Sequence, residues 1–167
     1  MGLAETRLNG FLREHRSEPL LLSTKVGRLR LSSAPERTGL GKLFDVPSRR
    51  EDYDYSHEGV MRSIKLSLDR LGVDAVDILY SHDVDAFTHG SNAASDRRVA
   101  EFVAGGYRAL AQLRTARVVK AIGAGVGEWQ VCERLAEAGD FDLFLLAGRY
   151  TLLEQDALAS FPPLCLA

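Results

Sequence analysis

The chain has 167 residues, 46% of them apolar and 26% charged, which is enough apolar material for one packed domain. Its net charge of −2 excludes a general electrostatic pull toward nucleic acid or anionic membrane. Cys132 and Cys165 are the only cysteines, too few and too far apart for a zinc signature or a disulfide framework. With no window near ~18 consecutive apolar residues, a cytoplasmic chain without a metal or a membrane span is expected.

In chain order the first element is a helix, with Ala4, Leu8, Phe11 and Leu12 on one face. Its flanks lack the apolar core of a secretory signal. Gly2 and Thr6 satisfy a short myristoylation pattern of the kind that recurs by chance. Residues 20–26 form a short apolar strand that carries Lys25 at its tip. Residues 28–55 are charged and aperiodic, and are expected to form a long loop or insert. A helix over 56–71 follows, with Val60, Ile64, Leu68 and Leu71 on one face, Ser56 as N-cap and Gly72 beyond its end.

The spacing then predicts a strand over 75–81, a helix over 96–115, a strand over 118–122 and a helix over 129–138. A last strand over 143–147 precedes a helix beginning near Glu154. Apolar strands separated by helices pair in parallel beneath a helical layer. Either a doubly wound open sheet or part of a (β/α)8 barrel fits.

In both architectures chemistry collects at the carboxyl ends of strands. Lys25 and His82 occupy equivalent ends in successive βα units. The plain reading of the lysine is a solvated side chain; that of the histidine is a loop residue bonded to Asp83 or Asp85. His15, His57 and His89 read as surface residues. Gly123, Gly125 and Gly127 read as a glycine-rich turn that lets backbone approach a ligand. The full G-x-G-x-x-G spacing is absent and the next strand does not end in an acid, so a Rossmann site is excluded.

Four segments occur in order: LSTKVGR, SIKLSLDRLGVDAVDILYSHDVD, VVKAIGAGV and GRYTLLEQ. Through them nearly the whole chain resembles an aldo-keto reductase. GYRAL, AIGAGV and AGRYTLLEQ are most similar to the sugar-dehydrogenase branch, which holds L-fucose, L-galactose and D-threo-aldose dehydrogenases with a pyridoxal dehydrogenase nearby. The resemblance implies a (β/α)8 barrel that uses NAD or NADP and acts on a small sugar or carbonyl by direct hydride transfer. It makes Lys25 and His82 the lysine and histidine of an Asp-Tyr-Lys-His tetrad, and places Gly125 and Gly127 in the cofactor-binding loop. An ammonium beside a phenol favours phenolate, and a histidine beside the reacting oxygen orients it. The family's asparagine in that loop is replaced by Gly127, and its glutamine near Ala147 is absent.

The resemblance also implies that the chain covers strands three to six as a single partial barrel domain over 1–167, truncated at both ends. The segment 28–55 then lies at the carboxyl edge. The family's aspartate and tyrosine fall before Met1, and the phosphate-binding strands fall after Ala167. The chain alone is therefore expected to be inactive, and to self-associate through its open sheet edges. Two further readings stand beside this one: a non-catalytic remnant that acts as an interaction protein, and an aldolase with Lys25 as a Schiff base.

Overall fold

A computed structural model describes residues 2–15, 17–32 and 49–166. The helix α1 (Leu3–Glu14) leads to strand β1 (Ser23–Val26). Two antiparallel strands follow, β2 (Arg28–Ser32) and β3 (Arg49–Tyr53), with Ser32 opposite Arg49. Next come α2 (His57–Leu71), β4 (Ile78–His82) and the short α3 (Ala86–His89). A long helical stretch is divided into α4 (Asn92–Glu101), a π-helical turn (Phe102–Gly106) and α5 (Tyr107–Thr115). The chain ends through β5 (Ala121–Val126), α6 (Trp129–Ala138), β6 (Leu143–Leu146), a 3-10 turn (Asp156–Ala159) and α7 (Phe161–Cys165).

The helix α2 forms where its pattern places it. Ser56 caps it by accepting from the Gly59 amide at 3.1 Å, and Gly72 ends it at φ 68°, donating to Leu68 O at 2.8 Å. Strands β1, β4, β5 and β6 form one parallel sheet in that order. Register partners share a face. One face carries Val26, Leu79, Ser81, Ile122, Ala124 and Val126, all fully buried beneath the helices. Each such aliphatic side chain contributes about 1.5–3 kcal/mol. The opposite, inner face carries Lys25, Tyr80, His82, Gly123 and Gly125, with Leu143 and Leu145 on β6.

From β1 to β4 and from β4 to β5 the strand ends advance by one residue, whereas β5 and β6 end level at Val126 and Leu146. Val26 ends β1 opposite Ser81, one residue short of the end of β4 at His82. His82 in turn lies opposite Gly125, one short of the end of β5 at Val126. The amino ends of the strands are joined by two aspartates. Asp77 accepts from the Leu22 amide at 2.8 Å and pairs with Lys120 at 2.7 Å. Asp142 accepts from the Ile122 amide at 2.8 Å and pairs with Arg114 at 2.8 Å.

Three expectations need correction. The strand expected over 118–122 runs from Ala121 to Val126, so Gly123 and Gly125 lie within it and only Gly127 lies beyond its end. Glycine lowers strand propensity, but here it clears space for side chains of neighbouring strands. The segment 28–55 is not loop throughout, because its ends pair as β2 and β3; residues 33–48 of it lie outside the described residues. The helix expected from Glu154 is a 3-10 turn and a short α7.

Candidate active site

Lys25 is half-buried near the end of β1, and His82 is 7% exposed at the end of the adjacent β4. The two point to the same inner face. The lysine side chain reaches across β4 to β5, where a Cβ on Gly125 would stand 2.9 Å from Lys25 Cε. Gly125 is thus the notch over which the lysine lies. Gly123 does the same for Tyr80, whose ring would meet a Cβ there at 2.9 Å.

Asp83 holds this arrangement together. Its carboxylate lies 3.1 Å from His82 Nε2 and 3.3 Å from the Arg28 guanidinium. Burial alone would raise its pKa, but the hydrogen bond and charge of His82, then Arg28 and Lys25, lower it below the ordinary carboxylate value. Asp83 adopts φ 49°, the left-handed region, while its amide donates to Gly125 O at 3.0 Å. An Asx residue tolerates that conformation better than a branched one.

Tyr55 fixes the two residues from behind. It is fully buried, and its hydroxyl donates to His82 O at 2.7 Å, with Asp83 O at 3.0 Å. Burial raises the phenol's pKa far above its ordinary value, so it stays a neutral donor. His89 Nε2 lies 3.0 Å from Asp83 O and 3.3 Å from the same phenol, and burial lowers the imidazole's pKa. This corrects the surface reading of His89. Gly27, at φ 94°, packs flat against the Tyr55 ring where a Cβ would collide with it.

A second tie links the next two strand ends. Asp85, 1% exposed, accepts from the Thr88 amide at 3.0 Å and from the Gly127 amide at 2.6 Å. Glu128 accepts from the amides of Ala86 and Phe87 at 3.1 and 3.0 Å. The Gly127 N–H is therefore committed to a side chain of this chain. Beyond it opens a cavity of about 770 Å³ lined by Asn92, Trp129, Arg134, Arg149 and Glu154 among others.

The donor set allows a test of fit to a nicotinamide dinucleotide. The Lys25–His82 face offers an ammonium and an imidazole at an open strand edge, which suits a reacting hydroxyl or carbonyl beside a nicotinamide. The cavity does not suit a pyrophosphate: Arg134 is paired with Asp96 at 2.9 Å and Arg149 with Glu154 at 3.7 Å. Among the described residues no cluster of His, Cys, Asp or Glu could hold a metal ion, and no helix is long and apolar enough to cross a membrane.

The structure thus brings Lys25, His82 and Gly125 together and sets Gly127 apart, on Asp85. Tyr55, Arg28 and the anchoring role of Asp85 were not legible as site features. For Asp83 the signal was the His-Asp pair at a strand end.

The model of the aldo/keto reductase family matches residues 1–167. Pyridoxal 4-dehydrogenase of Microbacterium luteolum is 40% identical over 98% of this chain and 50% of its own length. D-threo-aldose 1-dehydrogenase of a Pseudomonas species is 38% identical over 99% of this chain and 48% of its own. The chain therefore spans about half the length of these curated relatives. Among solved structures, an aldo-keto reductase from Bacillus halodurans superposes with a TM-score of 0.60 at 20% identity, over 87% of this chain and 39% of that one. A glycerol dehydrogenase from Gluconobacter oxydans gives 0.59 at 17% identity, over 86% and 36%. These two likenesses show a barrel-derived fold, and the sequence matches establish that the chain belongs to the aldo/keto reductase family.

Proposed function

We infer that this chain carries the lysine and histidine of an NAD(P)-dependent oxidation of an aldose at C1, or of the reverse carbonyl reduction. The observation that carries the reading is the convergence of Lys25 and His82 on one inner face, around Gly125 and Asp83. Both curated relatives are dehydrogenases, one of aldoses and one of pyridoxal. When bound, a nicotinamide supplies the hydride acceptor. His82, held by Asp83 on its ring nitrogen and by Tyr55 on its carbonyl, orients the substrate oxygen. Lys25 favours the deprotonated form of a hydroxyl group placed beside it. The Asp83 carboxylate balances the lysine charge across the face.

A second reading, a non-catalytic interaction protein, is favoured by one observation. Tyr55 cannot serve as the phenol beside Lys25, because its hydroxyl is spent on His82 O inside the core. An assay separates the two. The chain is mixed with NAD or NADP and with D-threo-aldoses or pyridoxal, and reduced nicotinamide is followed by absorbance. The chain alone is expected to be inactive, so the catalytic reading expects turnover once the chain replaces the matching half of a D-threo-aldose 1-dehydrogenase. Lys25→Met and His82→Ala should each lower that turnover by about 10²–10⁴-fold. No turnover by that hybrid, or turnover indifferent to both substitutions, overturns it and leaves the interaction protein.

A further inference from the structure

The π-helical turn at Phe102–Gly106 interrupts the long helix where it passes the start of α2. Its closing bond runs from the Tyr107 N–H to Phe102 O, so the turn holds one residue more than an α-helical turn. Gly106 has an ordinary helical φ of −60°, and its lack of a side chain therefore serves space rather than conformation. A Cβ there would stand 2.6 Å from Tyr55 O, and one on Gly105 would stand 2.8 Å from the His57 amide nitrogen. The two glycines thus let the helix lie against the backbone of residues 55–57.

That close approach brings a further group to Tyr55. Glu101, the last residue of α4, accepts from the Tyr55 amide through Oε1 at 3.0 Å. Its other oxygen, Oε2, accepts from Arg98 at 2.7 Å, one turn earlier on the helix. The Arg98 guanidinium in turn lies 6.0 Å from the centre of the Tyr55 ring. An ion pair three residues apart on a helix is by itself a minor surface feature. The bond from Oε1 to an amide 46 residues away is what gives this pair its reach.

The far end of Tyr55 is the hydroxyl that donates to His82 O at 2.7 Å and lies 3.0 Å from Asp83 O. Tyr55 is therefore a fully buried strut, fastened at its amide to α4 and at its hydroxyl to the end of β4. The hydroxyl meets the carbonyls of both members of the His82–Asp83 pair, whose side chains lie 3.1 Å apart. Where the strut ends, the backbone that aims the imidazole is fixed.

We propose that Glu101 is a positioning residue of the candidate site. By holding the Tyr55 amide it sets the place of the Tyr55 hydroxyl, and with it the orientation of the His82 ring toward Asp83. The importance of Glu101 to turnover rests on the reading of His82 as the group that orients the substrate oxygen; the coupling between the two residues does not.

The test reads the His82 ring by NMR, from its 15N shifts at alkaline pH, where the neutral imidazole shows which nitrogen carries the proton. In the wild-type chain the tautomer with Nε2–H facing Asp83 is expected. Glu101→Ala should give a mixture of tautomers and speed exchange of the Tyr55 amide by about tenfold or more. Glu101→Gln keeps an oxygen acceptor for that amide and should restore the wild-type ring signals. Val99→Ala weakens the buried packing of the same helix and should leave those signals in place. In a Tyr55→Phe chain, which has already lost the hydroxyl, adding Glu101→Ala should shift the His82 signals no further. Should Glu101→Ala fail to fold, Glu101→Asp shortens the reach of the carboxylate and is read in its place. Wild-type His82 signals in the variant so read, equal shifts in Val99→Ala, or additive shifts in the double variant would each overturn the proposal. A hybrid enzyme without turnover, in a chain whose His82 ring still follows Glu101, leaves the coupling standing and counts only against the functional reading.

Discussion

The two ends of the parallel sheet use the same residue type for different work. At the amino end, Asp77 and Asp142 each accept from a backbone amide of the neighbouring strand and pair with an arginine or lysine in solvent. At the carboxyl end, Asp85 is buried and Asp83 half-buried, and their partners are His82, Arg28 and the Gly127 amide. The first pair fastens strand to strand. The second aims side chains at a shared space, and it needs a left-handed backbone at Asp83, a glycine at φ 94° and a buried phenol to do so. The site end of the sheet is therefore the one that tolerates the least change.

The largest expected effect tests that claim. Gly27→Ala forces a side chain into the Tyr55 ring at a positive φ, and should cost about 3 kcal/mol or more of stability in urea unfolding. A neutral outcome would break the contrast. Tyr55→Phe keeps the ring but leaves His82 O without its donor, and is expected to cost about 1–3 kcal/mol. At the amino end, Asp142→Asn weakens a charged but solvent-screened tie and should cost only about 0.5–1 kcal/mol by the same measurement. It should leave the Lys25–His82 face unchanged, seen as unaltered His82 NMR chemical shifts, whereas Asp83→Asn should move them.

The smallest effect is graded with pH. Asp77, Asp83 and Asp142 all titrate below the 3.8 of an unperturbed aspartate when folded. Their contribution is thus fully present above that value and lost as pH falls through the lower folded values. Urea midpoints should fall below pH 3.8, and less steeply in Asp142→Asn.

Much of the fold could be read from periodicity. Ser56 and Gly72 bound α2 because capping chemistry is local, and the alternation of apolar strands with helices gave the parallel sheet. Lys25 and His82 were legible because strand ends are where a parallel sheet can display polar groups. The position of β5 was not, since two glycines argue against a strand until Tyr80 and Lys25 are seen lying across them. Tyr55 and His89 were hidden for a related reason. Their partners are backbone carbonyls 27 and 6 residues away in sequence, and no residue pattern marks a carbonyl.

The β2–β3 hairpin has one more consequence. Its first residue, Arg28, touches Asp83, and Tyr55, two residues past its end, holds His82 O. Ser32 and Arg49 stand side by side in the ladder. The hairpin therefore acts as a brace that ties the end of β1 to the end of β4 from outside the parallel sheet. A change that unzips β2 from β3 should loosen His82 and Asp83, although neither residue belongs to the hairpin.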